Sequence, residues 1–233
     1  MKKIFLSLSI FVSIGLFAQK PKAKPTSIKS ATTKSSTTPK KSEETIVEIT
    51  TDFGIMTARL YNNTPLHRDN FIKLVKQGFY DSLLFHRVIN GFMIQGGDPS
   101  SKKADSTAML GAGEAPGLPM VPSEFRSNLI HKKGALAAAR DNNPEKKSSN
   151  CQFYIVQGKK ADTAQLKNSS VVYTKDQKEI YQRIGGTPFL DQNYTVFGEV
   201  FIGMDVIDKI AATPIYDTDR PVKNVRMKIK IAR

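Results

Sequence analysis

The apolar residues of this chain come in short runs, and that pattern alone excludes most folds. Beyond residue 45 they cluster at 83–88, 92–95, 135–139, 153–156 and 196–201, with Gly and Pro punctuating the intervals. Runs of this size suit strands, which need roughly four to eight residues, better than helices, which need about ten or more. At the end of the chain Val225, Met227, Ile229 and Ile231 alternate with Arg226, Lys228 and Lys230, as in a strand with one wet face. Ile46, Val47 and Ile49, then Ile55, Met56, Ala58 and Leu60, flank Thr51-Asp52-Phe53-Gly54 and predict a β-hairpin. Two stretches carry strong helical spacing. In the first, Thr64 is placed to cap, Pro65 to open, Phe71, Leu74 and Val75 to form one face, and Gly78 to stop. The second covers 204–211, with Val206, Ile207, Ile210 and Ala211 on one side. Strands do not alternate regularly with helices, so the expectation is a mainly β protein whose antiparallel sheet closes into a barrel.

Residues 158–188 interrupt the strand pattern. Thr174 and Gln177 form a capping box and Gly185-Gly186 a stop, which predicts a short helix over 175–184 within a surface excursion.

Charge separates the two ends of the chain. The 35 Lys and Arg exceed the 21 Asp and Glu by 14, and half of that excess lies in residues 1–45. Lys2 and Lys3 precede an uncharged, mostly apolar run over 4–17, too short for the roughly 20 residues of a membrane span. This layout predicts a signal peptide over 1–18, with cleavage after Ala18, and an exported protein, periplasmic or secreted. Residues 19–44 are almost wholly Lys, Ser, Thr, Pro and Ala, so they are expected to form a disordered linker before the folded domain of 45–233. Basic character confined to this tail, without interleaved aromatic residues, argues against a nucleic-acid partner. A single cysteine, Cys151, and three histidines leave no material for a disulfide framework or a cysteine zinc site, and no metal or cofactor is expected.

Two fragments imitate a protein kinase, Asp52-Phe53-Gly54 and His67-Arg68-Asp69-Asn70, but they stand in the wrong order. The Gly-rich stretch 111–117 lacks the Lys-Ser/Thr of a phosphate loop and reads as a flexible loop. Chemistry concentrates instead in FHRVINGFMIQGGD, residues 85–98. Strand alternation would set Phe85, Arg87 and Ile89 on one face of their strand. It would set Phe92, Ile94 and Gly96 opposite to Met93 and Gln95 on the next.

That segment resembles the signature of the cyclophilin-type peptidyl-prolyl cis-trans isomerases. Further matches follow in family order: Gly134-Ala135-Leu136-Ala137-Ala138-Ala139-Arg140, Ser149-Asn150-Cys151-Gln152-Phe153-Tyr154-Ile155, Phe189-Leu190-Asp191 and Tyr194-Thr195-Val196-Phe197-Gly198. The resemblance implies a closed eight-stranded antiparallel β-barrel with a helix over each end and the site on its outer face. It implies Arg87 as the catalytic arginine, with Phe92 and Gln95 beside it. It implies substrate contacts from His86, Met93, Ala139, Arg140, Gln152, Tyr154, Phe189, Leu190 and Tyr194. Arg140 stands where the family has Asn, Tyr154 where it usually has Phe, Phe189 where many members have Trp, and Tyr194 where many have His. The implied activity is isomerisation of X–Pro bonds during folding of exported proteins, by a monomer acting on proline-containing peptides and unfolded clients without a cofactor. A peptide-binding module with negligible turnover is the alternative, and intact Arg87, Phe92 and Gln95 weigh against it.

Overall fold

A computed structural model describes residues 43–233; the expected signal peptide and nearly all of the linker lie outside the described residues. The hairpin forms as expected, from β1 (Thr45–Thr51) and β2 (Gly54–Leu60). After it come α1 (Pro65–Lys76), β3 (Phe85–Ile89), β4 (Met93–Gly96), β5 (Ala135–Ala138) and β6 (Phe153–Val156). The excursion contributes α2 (Thr163–Lys167) and α3 (Lys175–Arg183), and β7 (Val196–Ile202), α4 (Met204–Ala211) and β8 (Met227–Ile231) complete the chain. There are thus four α-helices among the described residues; α1 and α4 are the two expected over the barrel ends, α3 is the short helix expected within the excursion, and α2 has no counterpart in the sequence reading. Helix α3 does carry the expected capping box of Thr174 and Gln177.

All eight strands pair antiparallel in the order β3-β4-β6-β5-β7-β2-β1-β8. The sheet curls but does not close into the expected barrel. Its edge strands β3 and β8 meet only through the isolated bridge between Leu84 and Arg226, with Phe85 N donating to Val225 O and Met227 N to Leu83 O. Past that seam the edge of β3 is met by a loop: Val88 N donates to Asp219 O at 2.8 Å.

The inner face is a continuous core. Ile49, Leu60, Val88, Ile94, Phe153, Ile155 and Phe197 meet Phe71, Leu74 and Val75 from α1 and Val206, Ile207 and Ile210 from α4. Each large aliphatic group buried here contributes about 1.5–3 kcal/mol before ordering entropy is counted. Helix α1 is not capped by Thr64, whose side chain makes no cap bond. The carboxylate of Glu124 accepts from Leu66 N at 3.2 Å and His67 N at 3.0 Å instead. Among the described residues no helix is long and apolar enough to cross a membrane.

Candidate active site

The outer face carries a second apolar cluster, built from side chains that the strands cannot turn inward. In β6, Phe153 and Ile155 enter the core while Tyr154 and Val156 join Met93, Ala135, Ala137, Leu190 and Val196 outside. Arg87 reaches this face through an irregularity. Phe85 pairs with Gly96 but Arg87 with Gln95, so His86 is an extra residue in β3 and forms a bulge. Simple alternation would have put Phe85 and Arg87 together. The bulge instead sends Phe85 into the core and sets Arg87 across from Gln95. Phe92 also departs from alternation. It lies in the turn before β4, with its N–H donating to Ile89 O at 3.0 Å, and packs with the outer cluster on the side of Met93.

Here nine of the twelve expected site residues line one cavity of about 100 Å³: Arg87, Phe92, Met93, Gln95, Ala139, Arg140, Tyr154, Leu190 and Tyr194. Met93, Tyr154 and Leu190 are buried in it. Phe189 stands outside that lining, 62% exposed, with its ring 5.6 Å from Phe92. Tyr194 meets Tyr154 edge-on at 6.0 Å, and the Arg140 guanidinium covers the Tyr194 ring at 4.7 Å. Arg140 also donates from Nε to Asn193 O at 3.0 Å, so its cation braces an aromatic wall.

Gln152 lies just beyond the cavity. Its amide donates to Gly111 O at 2.9 Å and Gly113 O at 2.8 Å, and its Oε1 accepts from Gln95 Nε2 at 3.2 Å. With Gln95, Ala139 and Arg140 it lines an adjoining cleft of about 350 Å³. The Gly-rich stretch is tied down rather than flexible. Asp98 Oδ2 accepts from Gly111 N at 2.5 Å and Gly113 N at 3.3 Å. Burial alone would raise the Asp98 carboxyl, but these N–H donors together with Ser100 N hold it below its usual value.

Arg87 is 43% exposed at the cavity edge, and Gln95 is not its anchor. That role falls to Asp219, whose Oδ2 accepts from Arg87 Nε at 3.3 Å. Asp219 sits at φ +62°, in a turn stitched to β3 by the Val88–Asp219 bond. Sequence reasoning missed it, since nothing local to residues 217–219 indicates a partner 132 residues away. The Arg87 Nη groups make no hydrogen bond among the described residues and are free to meet a substrate oxygen.

His86 is buried, faces a cleft of about 480 Å³ shared with Arg87, Met109 and Tyr216, and does not touch the smaller cavity. Burial pushes its imidazole down to about 4, so the ring is neutral near pH 7 and lends no charge to Arg87. Burial likewise drives the Cys151 thiol up to about 12, with Glu114 adding to the effect, which leaves it inert as a nucleophile.

A cation at the lip of an aromatic-walled slot is suited to holding a neutral, proline-like group and stabilising charge that develops beside it. Known proteins point the same way. The family described as cyclophilin type peptidyl-prolyl cis-trans isomerase/CLD matches residues 46–231. A Staphylococcus aureus protein provisionally named a peptidyl-prolyl cis-trans isomerase is 35% identical over 177 residues, covering 75% of this chain and 85% of its own. A similarly named Staphylococcus epidermidis protein is 34% identical over the same shares. The crystal structure of a Cryptosporidium parvum cyclophilin type isomerase shares the fold, with TM-score 0.62 at 23% identity over 82% of this chain and 99% of its own. A second structure of it, determined in the presence of the dipeptide Ala-Pro, gives 0.60 at 24% identity over 81% and 99%. A match running from β1 to β8 leaves one conclusion: the chain belongs to the cyclophilin-type peptidyl-prolyl cis-trans isomerase family and is an enzyme of that class.

Proposed function

We propose that the protein accelerates rotation about X–Pro bonds in chains that fold after export, with the cavity around Arg87 as its active site. The observation that carries the site is Arg87 itself, an anchored guanidinium on the rim of an aromatic-walled cavity that also holds Gln95 and Arg140. The Cryptosporidium structure determined with Ala-Pro supports a proline-containing peptide as substrate. The basic start and apolar run at 2–17 support export, and unfolded clients follow from that location.

The reaction needs no nucleophile. Amide resonance opposes rotation with a barrier of about 18–20 kcal/mol, so uncatalysed exchange takes roughly 10–100 s. Phe92, Met93, Tyr154 and Leu190 grip the proline ring and exclude water, which disfavours the charge-separated planar amide more than the twisted one. As the nitrogen lone pair is released from conjugation, Arg87 hydrogen-bonds the substrate and stabilises the twisted geometry selectively. Gln95, held by Gln152, contacts the peptide backbone, and Tyr194, Phe189 and the Ala139-Arg140 edge flank it. Each decade of rate requires about 1.4 kcal/mol of such selectivity, so a contribution of about 3–4 kcal/mol from Arg87 amounts to two to three decades. In this scheme the enzyme acts as a monomer.

A protease-coupled assay on a proline peptide tests the site. Arg87→Ala is expected to keep the fold and to lower turnover at least tenfold; unchanged turnover would remove Arg87 from the reaction. Cell fractionation and N-terminal sequencing of the mature protein test export, and a chain retaining residues 1–18 in the cytoplasm would reverse that part.

A further inference from the structure

The excursion at 158–188 is joined to the back of the proline cavity by buried hydrogen bonds. Tyr154, which lines the cavity, carries a hydroxyl that a Phe would lack, and that hydroxyl lies 3.0 Å from His131 Nε2. The two rings stack at 6.1 Å and 12°. His131 is held in turn by Asp191, whose Oδ1 accepts from His131 N at 2.8 Å and pairs with Nδ1 at 2.7 Å. Both side chains are essentially sealed from water, at 1% and 0% exposed. Asp191 Oδ2 then accepts from two excursion residues, Tyr173 at 2.9 Å and Tyr181 at 2.5 Å.

One of the two tyrosines, Tyr173, also reaches a second cavity wall. The single hydroxyl proton of Tyr173 is shared between Asp191 Oδ2 and Pro188 O, the latter 3.0 Å away, and Pro188 opens the short turn that presents Leu190 to the cavity. Tyr173 and Tyr181 are fixed by the excursion's own small core with Ile130, Ala161 and Leu166, and their rings meet edge-on at 5.5 Å. The neck is clamped as well. Thr187 N donates to His131 O at 2.8 Å, and a Cβ on Gly186 would collide with that same carbonyl. Burial raises all three tyrosine hydroxyls, Tyr154, Tyr173 and Tyr181, well above their ordinary range, so each stays a neutral donor.

We propose that the excursion is a brace for the proline cavity. Tyr173 and Tyr181 fix Asp191, Asp191 fixes His131, and His131 fixes the ring plane of Tyr154, while the Tyr173–Pro188 bond sets the height of Leu190. These are positioning residues that act on peptide affinity, and they take no part in bond rotation. The proposal rests on the cavity being the proline site. Its physical basis is that a buried carboxylate stripped of two donors must find others, and moves to do so.

The test is steady-state kinetics and peptide titration with the full-length protein and a proline tetrapeptide. Tyr173→Phe/Tyr181→Phe is expected to raise KM about fivefold with kcat within about twofold, while in a Tyr154→Phe background the same pair moves KM by clearly less, keeping only the share that runs through Pro188 and Leu190. A folded double variant with wild-type KM overturns the brace, and so does an effect undiminished by Tyr154→Phe. If the double variant does not fold, Tyr173→Phe alone decides by the same split, because it leaves Tyr181 on Asp191. Absence of turnover in the wild type would sink the isomerase reading separately; the titration would still read the brace through peptide affinity.

Discussion

Two of the three histidines sit in nearly the same arrangement and serve different ends. At the start of α1, His67 gives its backbone N–H and its Nδ1 to Glu124, at 3.0 and 2.7 Å, and its Nε2 meets Ser148 Oγ at 3.0 Å. Behind the cavity, His131 does the same with Asp191 at 2.8 and 2.7 Å and meets Tyr154 at 3.0 Å. The imidazole and carboxylate are alike; the hydroxyl at the far end differs. Ser148 leads only into packing, whereas Tyr154 is a wall of the site. A buried polar triad therefore carries no function of its own, and its role is set by the group it immobilises.

The largest effect should separate stability from function at the His67 end. Glu124→Ala leaves two helix N–H groups and an imidazole without their acceptor, and should cost about 3–5 kcal/mol in urea unfolding. The KM of the folded fraction should stay unchanged, and a KM rise would show that the two triads are not as separate as their positions suggest. Burial raises the Glu124 carboxyl, but the His67 ring, His67 N–H and Leu66 N–H outweigh that and hold it low. Its contribution is thus complete above the unfolded carboxylate range and is lost as pH falls through the lower folded value. The variant should lack that acid limb.

His86 supplies the contrast of a buried histidine with no carboxylate or hydroxyl hydrogen-bonded to its ring among the described residues. Its folded value of about 4 lies below the unfolded 6.5, so the unfolded chain binds the proton more readily in that window. Stability should fall by about 3 kcal/mol as pH drops from about 6.5 to 4. The denaturation slope over that range should flatten in His86→Asn, and an unchanged slope would mean that another group sets it.

The smallest effect concerns a carboxylate in the open. Arg87 and Asp219 are 43% and 35% exposed, so their pairing contributes under about 1 kcal/mol and is screened by salt. Asp219→Ala should lower kcat about twofold to threefold and weaken its dependence on ionic strength. Identical kcat at low and high salt in both proteins would mean that Arg87 needs no anchor.

What could be read from the sequence was local. Strand β6 occupies 153–156 as its apolar run predicts, and the Thr174–Gln177 box caps α3, because both depend on neighbours within a few residues. The cavity residues came from the family resemblance, and nine of them do share one hollow. Features made by distant partners were invisible. Glu124 displaced Thr64 as the cap of α1, Asp219 anchors Arg87 from 132 residues away, and the bulge at His86 broke the alternation. The open seam belongs with these, since the group that meets Val88 at the edge of β3, Asp219, lies far along the chain.

The cavity lies on the outside of a curled sheet, with Phe189 standing largely uncovered at its rim. A recess of that kind is entered from the side. A polypeptide need not thread a terminus into it, so a proline hundreds of residues from either end is as accessible as one in a tetrapeptide. Selection among prolines then depends on whether the surrounding segment is still slack enough to lie flat, which favours chains caught before they fold.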